Sequence, residues 1–200
     1  MVRATTCLRG SYINVKISGS DHVAAVRAEW AREWPELDTE PIDVVARVGR
    51  LAHLLDDGLN RVFAPHGIRR EGWDVLASLR RAGPPYRTSP TELYRRLMRT
   101  SGAMTNRLYR LERAGLIARV PDPQDARSRL VELTSAGHRL VEELAPVHLA
   151  NERALLAALT VQERRDLAAL LAKLLTAFEA EAAARRGGGH RAGGGSPPAG

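Results

Sequence analysis

With 200 residues, 44% of them hydrophobic, the chain is long and apolar enough to bury a real core, and one domain with appended helices is the natural expectation. Its net charge of +7 points to a polyanionic partner, without separating DNA from RNA or a membrane surface. The single cysteine, Cys7, excludes an internal disulfide framework and fits a reducing cytoplasm, and no apolar run approaches the roughly 20 residues of a spanning helix, so no membrane partner is expected.

Residues 1–20 show neither a sustained period nor a secretory pattern and read as a flexible segment. Asp21 caps a helix from His22 to about Trp34, with Val23, Val26, Trp30 and Trp34 along one side, and Pro35 stops it. Pro41 opens a long helix to about Ala64 whose Val44, Val45, Val48, Leu51, Leu54, Leu55 and Leu59 recur at helical spacing. Residues 21–66 are therefore read as N-terminal helices for dimerisation. Pro65-His66-Gly67 breaks the run. A further helix from about Arg70 to Arg81 turns Trp73, Leu76 and Leu79 inward, and Gly83-Pro84-Pro85 ends it.

Ser89, Pro90 and Glu92 form a capping box that opens the next helix, with Leu93 and Leu97 inside. Arg99-Thr100-Ser101-Gly102 is a short break in which Thr100 or Ser101 caps a second helix. Met104, Leu108 and Leu111 then repeat at helical spacing until Gly115. Leu116 to Val120 and Arg129 to Leu133 are β-prone runs on either side of Pro121-Asp122-Pro123-Gln124-Asp125, which reads as a hairpin loop. This is the plan of a winged helix-turn-helix over 67–134, so the fold class is mostly α with a small β-hairpin wing. On the second helix, Ser101, Gly102, Ala103, Thr105, Asn106, Tyr109 and Arg110 are left over from the apolar stripe. Small and hydrogen-bonding residues with an arginine suit a helix lying in the major groove. An ordinary solvated face has the same composition.

Thr134 caps a helix to about Ala158, with a kink or break expected near Pro146. Thr160 and Glu163 form another capping box, before a helix carrying Leu167, Leu170, Leu171, Leu174, Leu175 and Phe178. The apolar surplus in residues 135–184 and in the N-terminal helices argues for a symmetric homodimer, with a larger monomeric core as the alternative. The last stretch, 185–200, is RRGGGHRAGGGSPPAG, a composition that does not fold.

Asp125-Ala126-Arg127-Ser128, followed by Leu133-Thr134-Ser135-Ala136-Gly137, resembles the wing of the MarR family of bacterial transcriptional regulators. In that family a D-x-R tip leads through a strand into L-T-x-x-G. A symmetric dimer of such a domain would place two recognition helices in successive major grooves, about 10 bp apart, so the expected double-stranded operator is a palindrome. By the resemblance, Arg127 would reach the minor groove, Asp125 would orient the wing, and Arg129 would join the contacts. Many members carry a second basic residue where this chain has Ala126. An inserted guanidinium suits the negative potential of a narrow A·T-rich groove.

Asp74 and Arg107 flank buried stripes and need partners, each other or a ligand. Trp30 in Ala28-Glu29-Trp30-Ala31-Arg32, Asp74 after Gly72-Trp73, Arg107 after Thr105-Asn106, and Arg119 before the wing resemble the urate-responsive branch of the family. That similarity implies a repressor released by urate or a related purine anion. Trp30 and Arg107 would hold the ligand, Asp74 would be displaced, and Arg119 would carry the change onward.

The six histidines do not fall into metal-ligand spacings, no Gly-rich phosphate loop follows a strand, and no nucleophile–base set is visible. Neither an enzyme nor a cofactor is expected. The rival reading is a non-specific architectural nucleic-acid-binding protein that relies on net charge alone.

Overall fold

The computed structural model describes residues 21–97 and 101–188. Cys7, the proposed caps around Arg99 and Thr100, and the tail from residue 189 lie outside that range. The chain divides after Asp57 into two compact units. In the first, Asp21 Oδ1 accepts from Ala24 N at 2.9 Å and caps α1 (His22–Glu33). The beginning of α2 (Ile42–Phe63) contributes Arg47, whose guanidinium pairs with Asp21 at 2.7 Å and with Asp43 at 2.6 Å; Arg27 pairs with the same Asp43. These ion pairs fix α1 against that helix, while Val44, Val45, Val48, Leu51 and Leu54 remain exposed.

The second unit is built around α3 (Arg70–Arg81). Gly72, Trp73 and the whole run Val75 to Leu79 are buried, more than the one inward stripe expected. A helix buried on nearly every side needs apolar or small residues all round, and α3 packs against α4 (Pro90–Leu97), α5 (Ser101–Arg113), α6 (Ser135–Leu155) and β3 (Asp125–Leu133). Phe63 stacks on Trp73 with ring centroids 5.3 Å apart, and His148 of α6 lies tilted against both rings. At the far end of α6, Asn151 Nδ2 donates to Gly58 O at 3.2 Å. Leu155 lies so close to Gly58 that a Cβ there would meet its Cδ2 at 2.7 Å.

Three expectations are corrected here. The sheet has three strands, in the order β1-β3-β2: besides the hairpin of β2 (Ile117–Asp122) and β3, a two-residue β1 (Arg87–Thr88) pairs with Glu132 and Val131. A run so short carries no period that sequence could reveal. The expected loop from Pro121 to Asp125 shrinks to a turn at Pro123-Gln124, because both strands continue into it. Finally, α6 continues through Pro146, so of the kink or break expected there the break does not occur.

The last helix, α7 (Val161–Gly188), opens on the expected capping box: Thr160 N donates to Glu163 Oε2 at 2.7 Å, and Glu163 N donates to Thr160 Oγ1 at 3.3 Å. It extends past Arg185, where the tail was expected to begin. Leu170, Leu171, Leu174, Leu175 and Phe178 are all exposed along it.

Candidate nucleic-acid interface

The orientation of α5 is set by what it buries. Met104, Leu108 and Leu111 are 0%, 2% and 3% exposed, which leaves Thr105, Asn106, Tyr109 and Arg110 on the outward face. Ser101 and Gly102, read as part of the break, lie with Ala103 in the first turn of α5. Gly115 ends the helical stretch with φ 69, a left-handed conformation that suits glycine. The chain then reverses at once into β2.

Thr134, Gly115 and Gly137 join the wing to α6. Thr134 Oγ1 donates to Gly115 O at 2.7 Å and accepts from Gly137 N at 3.0 Å, while Thr134 N donates to Leu116 O at 3.2 Å. A Cβ on Gly137 would sit 2.1 Å from Leu116 O. The L-T-x-x-G run is therefore a cap and a close backbone approach in one device: the hydroxyl satisfies a helix N–H, and the missing side chain lets α6 start against β2.

The wing tip is held by its carboxylates. Asp122 Oδ1 accepts from Gln124 N at 2.9 Å, and its other oxygen accepts from Ser128 Oγ at 3.1 Å. Asp125 Oδ1 accepts from Arg127 N at 3.0 Å. Asp125 thus braces the backbone of the residue expected to enter the minor groove, and Arg127 and Arg129 are both exposed.

The four residues linked to a ligand fall in different surroundings. Trp30 is on α1 and 41% exposed. Asp74 lies 3.7 Å from Arg70, one turn earlier on α3. Arg107 Nη1 lies 4.0 Å from Met104 Sδ. Arg119 Nε pairs with Glu112 Oε2 at 3.2 Å. A cavity of about 280 Å³ opens beside α5, lined on one side by Gly67 to Arg69, Glu71 and Gly72, and on the other by Asn106, Arg107, Arg110, Leu111 and Ala114. Of Asp74, Arg107 and Arg119, its wall takes Arg107.

Comparison with known proteins places this geometry. The model of the MarR family matches residues 68–128, from just before α3 to the wing tip. The HTH-type transcriptional regulator PecS of Dickeya dadantii is 36% identical over 151 residues, covering 76% of this chain and 91% of PecS. The chain belongs to the MarR family. The multiple antibiotic resistance protein MarR of Escherichia coli is 36% identical over 100 residues, 48% of this chain and 67% of the relative. A crystal structure of a mutant of that E. coli MarR, complexed with operator DNA, superposes with a TM-score of 0.63 at 32% identity, covering 70% of this chain and 99% of that one.

The family is one of DNA-binding transcriptional regulators rather than enzymes, and the winged helix-turn-helix is its fold. Among the described residues of this MarR-family chain, no helix is long and apolar enough to cross a membrane. His138 and His148 are ring partners of Tyr86 and of the Phe63–Trp73 pair respectively.

The sequence pattern places Tyr109 on the outward face without assigning it a contact, and it gives no role to Glu112. Tyr109 is 55% exposed beside the predicted groove residues, with the Arg113 guanidinium 5.8 Å from its ring. Their i,i+4 spacing was the available signal. Nothing local marked Glu112, whose partner comes from the next strand.

Proposed function

We propose that this MarR-family chain is a homodimeric repressor that binds a palindromic operator and is released by a small anionic ligand, urate or a related purine. One observation carries the DNA reading: Thr105, Asn106 and Arg110 stand exposed opposite the buried stripe of α5. The braced, exposed Arg127 of the wing supports it. Thr, Asn and Arg are the residue types that meet base edges or phosphates. Operator DNA is the ligand in the solved complex of the E. coli relative.

Two copies would set their reading helices in successive major grooves, about 10 bp apart. The dimer reading rests on the exposed leucines and Phe178 of α7, and separately on the exposed valines and leucines of α2. So much uncovered apolar surface calls for a partner, and closed two-fold pairing is the commonest way to supply one.

The ligand reading draws on the resemblance of Trp30, Asp74, Arg107 and Arg119 to the urate-responsive branch. An indole can stack on a purine, and a guanidinium can fork onto its anionic edge.

A competition assay between an inverted repeat and random duplex tests the first part. A sequence-specific factor prefers its site by at least roughly 1,000-fold; equal affinity would leave only the architectural reading. Light scattering on Leu174→Glu tests the dimer, with dissociation to monomers expected. Titrating urate and xanthine into the protein on its operator tests release, and no effect from either at millimolar concentration would remove the ligand from the account.

A further inference from the structure

Helical spacing marks the line of α5 that lies opposite its buried stripe. At about 3.6 residues per turn, Met104, Leu108 and Leu111 share one side, and Gly102, Asn106, Tyr109 and Arg113 follow one another along the other. Asn106, Tyr109 and Arg113 are all exposed. Residue size grows along that line, from glycine at its start to arginine at its end.

A stripe that lengthens toward one end fits a surface that falls away from the helix axis. A helix entering the major groove tip-first meets such a surface, because its N-terminal residues approach the base edges while its last turn stands off. Arg113 follows Asn106 by seven residues, nearly two full turns and roughly 10 Å along the axis. The groove is about 12 Å wide, so that distance carries the arginine toward the rim, where the phosphates run.

We propose that Arg113 grips a backbone phosphate at the rim of the groove, and that the ring of Tyr109 holds its guanidinium ready to do so. The inference rests on the reading of the outward face of α5 as the DNA-contacting one. It adds an anchor that carries no sequence information, and a residue that acts through another rather than on the DNA.

The pairing explains why the ring is there. Arg113 Cζ lies 5.8 Å from the centroid of Tyr109, one turn earlier, within the roughly 6 Å reach of a cation–π contact. A carboxylate partner restrains an arginine by occupying its donors and offsetting its charge, as Glu112 does for Arg119 and Glu92 for Arg95 and Arg96. An aromatic face restrains the guanidinium while leaving its charge and its in-plane N–H donors available. Those donors form the fork that phosphate oxygens accept. The plainer role for a cation in the last turn is to complement the helix dipole, which would affect stability and not DNA binding.

The experiment titrates the full chain and its variants onto the inverted repeat of the competition assay and onto a random duplex of the same length, each over a range of salt. Arg113→Ala is expected to weaken binding to both duplexes alike, by roughly threefold to tenfold, because a phosphate contact is blind to sequence. The slope of log K against log salt should fall by about 0.9 for each copy bound. Tyr109→Phe keeps the ring and should stay within about twofold of wild type. Tyr109→Ala should lose about twofold to fivefold, the worth of an exposed cation–π contact, with the salt slope unchanged. The double variant Tyr109→Ala, Arg113→Ala should bind no more weakly than Arg113→Ala alone.

Unchanged affinity and slope for Arg113→Ala, with a lowered melting temperature or none, would overturn the proposal. A loss confined to the inverted repeat would make Arg113 a base contact and overturn it too. Additive losses in the double variant would show that Tyr109 meets the DNA by itself, and would end its positioning role. Asn106→Ala separates this inference from the reading beneath it. If Asn106→Ala weakens binding to the inverted repeat and Arg113→Ala does not, only the anchor fails; if neither variant has an effect, the outward face of α5 is not the DNA surface.

Discussion

Arg119 of β2 and Glu112 of α5 form an ion pair, Nε to Oε2 at 3.2 Å, that ties the first strand of the wing to α5. Both side chains are more than a third exposed, so the pair adds little to stability: exposed pairs contribute about 0–1 kcal/mol. Its consequence is geometric, because it fixes how the arginine of the wing sits relative to the outward face of α5.

Breaking that tie should therefore separate stability from binding. Glu112→Ala is expected to change unfolding free energy by less than about 1 kcal/mol and to weaken operator binding by roughly threefold to tenfold through lost preorganisation. Arg119→Ala should do the same, and the double variant should lose little more, as expected of residues that act as a unit. Additive losses across the four proteins would show that the pair does not orient the wing.

The tip of the wing should show its role in the salt dependence. Arg127→Ala is expected to weaken operator binding and to reduce the slope of log K against log salt by about 1, with oligomeric state and melting temperature unchanged. Asp125→Ala removes only the acceptor for Arg127 N, so affinity should fall while the slope stays near the wild-type value. An unchanged affinity and slope for the Arg127 variant would remove the wing from the interface.

Gly137→Ala should be among the most damaging single-methyl changes. The new Cβ would meet Leu116 O at 2.1 Å and Leu133 Cδ1 at 3.1 Å, and a backbone carbonyl cannot swing aside as a flexible side chain can. A loss of at least about 2 kcal/mol is expected in denaturant unfolding. Thr134→Ala, which removes the cap and not the space, should cost about 1 kcal/mol. A neutral Gly137 variant would contradict the close approach of α6 to β2.

Glu92 supplies a pH signature. Hydrogen bonds from Arg95, and then from Arg96, hold its carboxyl at about 2, against the ordinary 4.5. A group depressed on folding contributes stability that is fully present above its unfolded value and is lost as pH falls through the folded one. The melting temperature of Glu92→Gln should accordingly lie below wild type at neutral pH. The gap should close as pH drops from about 4.5 toward about 2, following the range of that shift. A gap that persists unchanged in acid would mean that the fork of Arg95 and Arg96 on Glu92 does not form in solution.

Much of this architecture could be read from local chemistry, because its signals are local. Caps at Asp21, Thr134 and Thr160 depend on residues within one turn, and the structure forms each of them. The stripe Met104, Leu108, Leu111 depends on helical period alone, and all three are buried. Gly115 at the end of α5 is likewise a short-range device.

Tertiary structure decided what depends on residues distant in the chain. Strand β1 exists because Arg87 and Thr88 find an open edge at Val131 and Glu132, and an edge is a property of the sheet. Trp73 stacks on Phe63 and meets His148 from another helix, so the ring of His148 is a packing element, a role that no local pattern marked. The partner of Glu112 and the place of Asn106 and Arg110 in the cavity wall belong to the same class. Local propensity decided which helices form and, in α5, which side is buried. Only packing, which brings separate elements within a few ångströms, determined which exposed arginines face one another's surroundings and what space lies between them.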